Sequence, residues 1–263
     1  MKGPVRVIEG NAKPFERFWI VKNEEGGDPE LDFYGAISEY ALFDDDITPR
    51  MFKEDLYSLG KGGPVTVHID SPGGAVDAAS TIRAIMMDYP GIITIKIDGL
   101  CASAAVVVAL AGDRVLMQES GYMMIHDPMT IAFGNERDLK TAIQSLEAVK
   151  SGILDCYQTK TGMDRGKLDS MMSKETWMSA RDALEFGFVD ELITSGSAKA
   201  SNLPTTAIVN CLRNYVHVPA NIFPMPESNE QQDPAEPGQV DEVKEREVKN
   251  LRDYLDVFAK GAK

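Results

Sequence analysis

A chain of 263 residues that is 43% hydrophobic can bury one well-packed domain of roughly 150–200 residues and still carry extensions. Its net charge of −14 argues against nucleic acid and anionic membrane surfaces as partners, because both are bound through clustered Lys and Arg. The three cysteines, Cys101, Cys156 and Cys211, are too widely spaced for a metal pair and read as reduced thiols of a cytoplasmic protein.

The amino-terminal stretch Met1–Gly10 has no apolar run of signal-peptide length. No segment reaches the ~20 apolar residues of a membrane span. Residues 1–30 read as an arm or hairpin, with a weak strand signal at Phe18-Trp19-Ile20-Val21 and a turn at Gly26-Gly27. A strand is predicted over Phe33–Ile37. Thr48 and Pro49 then cap a helix to about Leu59. Val65, Val67 and Ile69 alternate as a strand that ends in Ser71-Pro72-Gly73-Gly74, and Val76–Met87 has helical spacing. A β-branched strand over Ile92–Ile97 leads to Ser103, which opens an Ala/Val-rich helix to Ala111. Short strands follow at Val115–Met117 and Tyr122–Ile125, the second ending on His126. One long helix is predicted from Asn135 to about Lys160, and another over Asp164–Met172. Ser179 caps a short helix closed by Gly187, and Val189–Ile193 is a last strand. Alternating strands and helices predict an α/β fold with a largely parallel sheet.

Composition changes after about residue 200. Pro219, Pro224, Pro226, Pro234 and Pro237 fall within 19 residues, and Glu227–Glu247 holds eight acidic against two basic residues. Residues 201–240 therefore read as a solvated linker. Residues 241–263 regain an apolar stripe of Val243, Val248, Leu251, Tyr254, Leu255 and Phe258, which predicts an amphipathic helix.

Three of these β-rich runs end in elements suited to acyl transfer: a Gly-Gly turn, a serine among small residues and a histidine. Taken singly, each has an ordinary explanation. Ser103 could be a helix N-cap, Gly73-Gly74 a turn that needs positive φ, and His126 a satisfied core histidine. His68 alternates onto the other face of its strand and is given no role.

Taken together, Ser71-Pro72-Gly73-Gly74, Ala102-Ser103-Ala104 and Met124-Ile125-His126-Asp127-Pro128 resemble the proteolytic-subunit family of the Clp proteases. Trp177-Met178-Ser179-Ala180 and Ala183–Asp190 resemble that family's closing segment, so the likeness spans about residues 32–195. It implies a ClpP/crotonase-like superhelix of repeated βαβ units, with residues 31–200 as the protease domain. Ser103 is then the nucleophile, His126 the base, and the amides of Gly74 and Ala104, beside Gly73, the oxyanion hole. The family's orienting acid aligns with Met171 or Ser173. Asp169 and Glu175 are the nearest carboxylates, and Asp169 is favoured slightly because it is short and sits on a predicted helix.

The Lys140–Met178 region, with Glu175-Thr176-Trp177, resembles the phage head maturation branch. That branch implies capsid or scaffold proteins as substrates. The family likeness implies a ring-based homo-oligomer built partly on the long helix, and leaves open an AAA+ ATPase as a further partner. No metal or cofactor is expected. The missing acid and the acidic tail leave open an inactive, oligomeric scaffolding relative. A crotonase-type acyl-CoA enzyme is a more distant alternative.

Overall fold

The computed structural model describes residues 29–37 and 48–194, together with Tyr215 and Val218. The chain divides into two units, Met1–Pro219 and Ala220–Lys263, and all the described residues belong to the first. The predicted linker and amphipathic helix, and the Phe18–Val21 strand, lie outside the described residues.

The elements run β1 (Glu30–Tyr34), α1 (Pro49–Gly60), β2 (Val65–Ser71), α2 (Val76–Met87), β3 (Ile93–Ala102) and α3 (Ala104–Ala109). They continue as β4 (Arg114–Gln118), β5 (Tyr122–Ile125), α4 (Glu136–Thr161), α5 (Arg165–Ser173), β6 (Thr176–Ser179), α6 (Ala180–Glu185) and β7 (Glu191–Ile193). The sheet order is β1-β2-β3-β4-β7, with β5 on β3 and β6 on β5. Every pairing is parallel except β5–β6. The fold is thus α/β with a mostly parallel sheet, as the alternation of the sequence predicts.

The helices begin where the capping chemistry places them. Thr48 accepts from the Met51 amide, and Pro49 fills the first helical position. Asn135 and Asp138 form a reciprocal capping box at the start of α4, and Gly162 ends that helix in the left-handed region. Ala78, Ala79, Ile82 and Met86 form the buried face of α2, which packs on α3. All six residues of α3 are buried. Each buried Ile or Val here contributes about 1.5–3 kcal/mol. Among the described residues no helix is long and apolar enough to cross a membrane.

Three strands depart from their predicted spans. Gly35 adopts φ 112° and stops β1 early, so Ile37 forms only a single parallel bridge with Gly74. Thr176–Ser179, which has no legible strand pattern in the sequence, pairs antiparallel with β5. The third departure matters most. Asp98-Gly99 looks like the end of a strand, yet β3 runs through it to Ala102. Upstream of the pair, β3 pairs with β4 over Thr94–Ile97; downstream, it pairs with β5 over Leu100–Ala102.

Buried carboxylates stabilise this switch of partner. Asp70, 3% exposed, accepts the Leu100 amide at 2.9 Å. A side chain at Gly99 would sit 3.1 Å from both Asp70 carboxylate oxygens. The Asp98 carboxylate oxygen Oδ2 accepts Tyr34 Oη at 2.6 Å and lies 2.6 Å from His68 Nδ1. Burial alone would lower the His68 pKa, but the Asp98 contact outweighs it and the net shift is upward. His68 therefore belongs to the bend of β3.

Replacing Asp70 by Ala leaves the Leu100 amide buried without this acceptor, at a cost of about 1–3 kcal/mol. Thermal unfolding should fall by about 2–4 °C for each kcal/mol lost. Asp70→Asn, which keeps an acceptor oxygen, should lose less. Equal midpoints for wild type and Asp70→Ala would contradict this account of the bend.

Candidate active site

Register brings the special residues together. Ser71 pairs with Cys101, and Ala102 with Met124, so the chain emerges from three adjacent strand ends at Pro72, Ser103 and His126. The Ser103 amide donates to Met124 O at 2.8 Å, which fixes the nucleophile candidate beside the end of β5. Ser103 Oγ lies 2.7 Å from His126 Nε2.

Ser103 has φ 55° and ψ −123°, and its side chain does not cap α3. The N-cap explanation therefore fails: the hydroxyl faces the histidine and not the free amides of the helix. A non-glycine residue in this region is strained by roughly 1–3 kcal/mol. The same sharp strand-to-helix turn exposes the nucleophile of α/β-hydrolases.

The glycine turn is equally constrained. Gly73 and Gly74 have φ 93° and 143°. A Cβ on Gly73 would lie 2.6 Å from Ala102 O and 3.0 Å from Ala104 N, and one on Gly74 would lie 2.1 Å from Ile37 O. Only bare backbone fits against the Ser103 turn. The Ile37 amide donates to Gly73 O at 2.9 Å, and the Ala75 amide to Ile37 O at 2.8 Å. In such a parallel bridge the Gly74 N–H points away from Ile37. The amide of Ala104, first residue of α3, has no partner within its helix.

The carboxylates are arranged differently from the expectation. Asp169, favoured as the orienting acid, is half exposed and sits 2.6 Å from Lys150 Nζ. Asp127 is held by the same Lys150 at 2.8 Å and accepts from Ser173 Oγ at 3.1 Å. From α5, Asp169 pairs with Lys150 of α4. Glu175 is better placed. Ile125 pairs with Thr176, so continuing the antiparallel register by one residue sets Glu175 opposite His126. Its carboxylate accepts Trp177 Nε1 at 3.2 Å, and its backbone has φ 50°.

Burial lowers the His126 pKa below the usual imidazole value, against the opposing fields of Glu175 first and Asp127 second. Burial thus favours the neutral imidazole, the form a general base requires. Cys101, two residues before Ser103, is fully buried, and burial pushes its thiol far up, which makes it inert.

Sequence reasoning missed one residue altogether. The Tyr215 hydroxyl donates to Pro72 O at 2.6 Å, and its ring packs edge-on against His126 with centroids 5.1 Å apart. It lies in a stretch with no periodicity and no motif, so no sequence signal marked it.

A serine hydroxyl on a histidine, beside bare amides on an α/β sheet, is the arrangement of a serine-type peptidase class. The chain belongs to the Clp protease family, whose profile, described as Clp protease, matches residues 43–196. It is 30% identical over 169 residues to the ATP-dependent Clp protease proteolytic subunit 1 of Chlamydia muridarum, covering 60% of this chain and 88% of that protein. It is 33% identical over 153 residues to subunit 2 of Treponema pallidum, covering 57% and 74%. A solved ClpP1 mutant from Listeria monocytogenes superposes with a TM-score of 0.56 at 20% identity, over 64% of this chain and 92% of that one.

Glu175→Gln should lower peptide hydrolysis about 100-fold, within the range for general acid–base groups. Asp169→Asn should change it no more than a few-fold. The reverse ranking in steady-state assays would return the orienting role to Asp169.

Proposed function

We propose that this protein is a serine endopeptidase in which Ser103 attacks the scissile carbonyl. The 2.7 Å contact of Ser103 Oγ with His126 Nε2 carries the reading, because Ser103 adopts a strained conformation to make it. His126 takes the hydroxyl proton as the carbon–oxygen bond forms and returns it to the leaving amine. The amides of Gly74 and Ala104 receive the oxyanion, and water then hydrolyses the acyl-enzyme by the same exchange. Glu175 supplies negative charge near the imidazolium that forms in each step.

The biological setting we propose is phage head maturation in the host cytoplasm, with capsid or scaffold proteins as substrates. Support comes from the sequence likeness around Lys140–Met178. The subunits assemble as a ring-based homo-oligomer. Ile131 and Phe133 are 93% and 79% exposed ahead of α4, and Ile143 on α4 is 56% exposed. Large apolar side chains left this exposed support an interaction surface on this part of the chain. An AAA+ ATPase is the partner that the relatives' name, ATP-dependent Clp protease, suggests.

One observation favours a second reading, an inactive scaffolding subunit. The positions aligned with the family acid are neutral: Met171, whose carbonyl accepts from Thr176 Oγ1 at 2.6 Å, and Ser173, which bonds Asp127. Labelling with a serine-reactive fluorophosphonate separates the two. Intact mass should show one adduct on wild type and none on Ser103→Ala, with peptide hydrolysis in Ser103→Ala lower by ~10⁴-fold or more. Hydrolysis should persist to more acid pH than an ordinary imidazole allows, because the His126 pKa is lowered. An unlabelled wild type would support the scaffolding subunit.

Assembly is tested by sedimentation. Wild type should sediment as a closed ring at micromolar concentration, and the double variant Leu139→Glu, Ile143→Glu should yield smaller species. A stable wild-type monomer would contradict the ring.

A further inference from the structure

Tyr215 stands 19 residues beyond the family match, which ends at residue 196, yet it contacts three parts of the site. Its hydroxyl is bonded to Pro72 O at 2.6 Å. Its ring meets His126 edge-on, with centroids at 5.1 Å and planes at 68°. It meets Trp177 at 6.3 Å and 71°, and Trp177 in turn donates to Glu175.

These contacts answer a need of the site. A histidine base must present one nitrogen to the serine, and its ring must not turn about the Cβ–Cγ bond. In serine proteases a carboxylate normally prevents that rotation. Here Asp169 and Asp127 are both engaged with Lys150, and the remaining carboxylate, Glu175, is bonded by Trp177 Nε1, whose ring meets Tyr215. An aromatic ring packed edge-on beside the imidazole restricts the same rotation sterically, provided that the ring is itself fixed. The hydroxyl fixes it, on the residue directly before Gly73-Gly74.

We infer that Tyr215 is a positioning residue which locks the His126 ring and ties it to the Pro72-Gly73-Gly74 turn, so that the base and the oxyanion amides hold one geometry. This rests on the Ser103–His126 reading above. Tyr215, outside the family match, is then an addition to this chain's site.

The groups facing His126 are Ser103, Tyr215, and the carboxylates of Glu175 and Asp127. The full chain is assayed as wild type, Tyr215→Phe, Tyr215→Ala and Ser103→Ala. The measurements are peptide kcat and KM across pH, the fluorophosphonate labelling rate, and the His126 titration by NMR. Tyr215→Ala should lower kcat and labelling about tenfold or more, with KM within about twofold. Its acid limb and its His126 titration should both move toward the ordinary imidazole range as water reaches the ring. Tyr215→Phe keeps the ring and should fall between, with the titration near that of wild type.

Tyr215→Ala at wild-type kcat with an unmoved titration overturns the inference. So does a faster Tyr215→Ala, which would make the ring an obstacle to substrate. Should Tyr215→Ala fail to fold, the Tyr215→Phe rate and titration decide: no change in either overturns it. If wild-type Ser103 is never labelled, the serine-peptidase reading falls first and this inference with it; labelled wild type with unaffected variants overturns this inference alone.

Discussion

The site depends on one bend. Strand β3 must leave β4 and find β5 within two residues, and the Asp70 carboxylate makes that possible by accepting the Leu100 amide at the point of departure. Without an acceptor there, a buried amide would oppose the bend by the cost of an unmade hydrogen bond. Gly99 leaves the carboxylate room to approach, and the Tyr34–Asp98–His68 contacts hold the preceding residue. Everything downstream inherits its position from this bend: Ser103 at the end of β3, Met124 beside it, and His126 two residues on.

Strain is concentrated around the same point. Among the described residues only Lys61, Ser103 and Glu175 combine a side chain with positive φ, and two of these belong to the site. Gly73 and Gly74 also sit in the positive-φ region, with backbone packed where a Cβ would collide. Such conformations persist only where the surroundings over-determine them. Here the parallel bridge to Ile37, the Met124 carbonyl and the β5–β6 pairing do so. The core beneath, formed by α2, α3 and the central strands, is apolar and tightly buried, which makes it a stiff support.

Much of this was legible in the sequence. Capping residues located α1, α4 and α6 to within a residue or two, and β-branched alternation located β2 and the first half of β3. The ordered motifs brought Ser103, His126 and the Gly-Gly turn onto one list. What stayed hidden depends on tertiary contacts. Asp98-Gly99 reads as a strand end because the Asp70 acceptor lies 30 residues away. Thr176–Ser179 is too short to show a period, so the register that brings Glu175 to His126 was invisible. Asp169 looked suitable on helix geometry alone, and the deciding fact was that Lys150 of α4 faces it. Tyr215 carries no local signal of any kind.

Lys150 also bears on the chemistry of the base. Asp127 follows His126 directly, and its negative field acts to raise the imidazole pKa. Lys150 Nζ lies 2.8 Å from that carboxylate, and burial is the dominant influence on the imidazole. Lys150 itself remains charged, because Asp127 and Asp169 together outweigh its desolvation and raise its pKa. Asp169 pairs with the same cation that holds Asp127. The cation stands on α4, whose first half presents Leu139 and Ile143 to the exterior and whose second half buries Ile153, Leu154 and Tyr157. One helix thus carries the exposed apolar face, the anchor in the core and the charge next to the base.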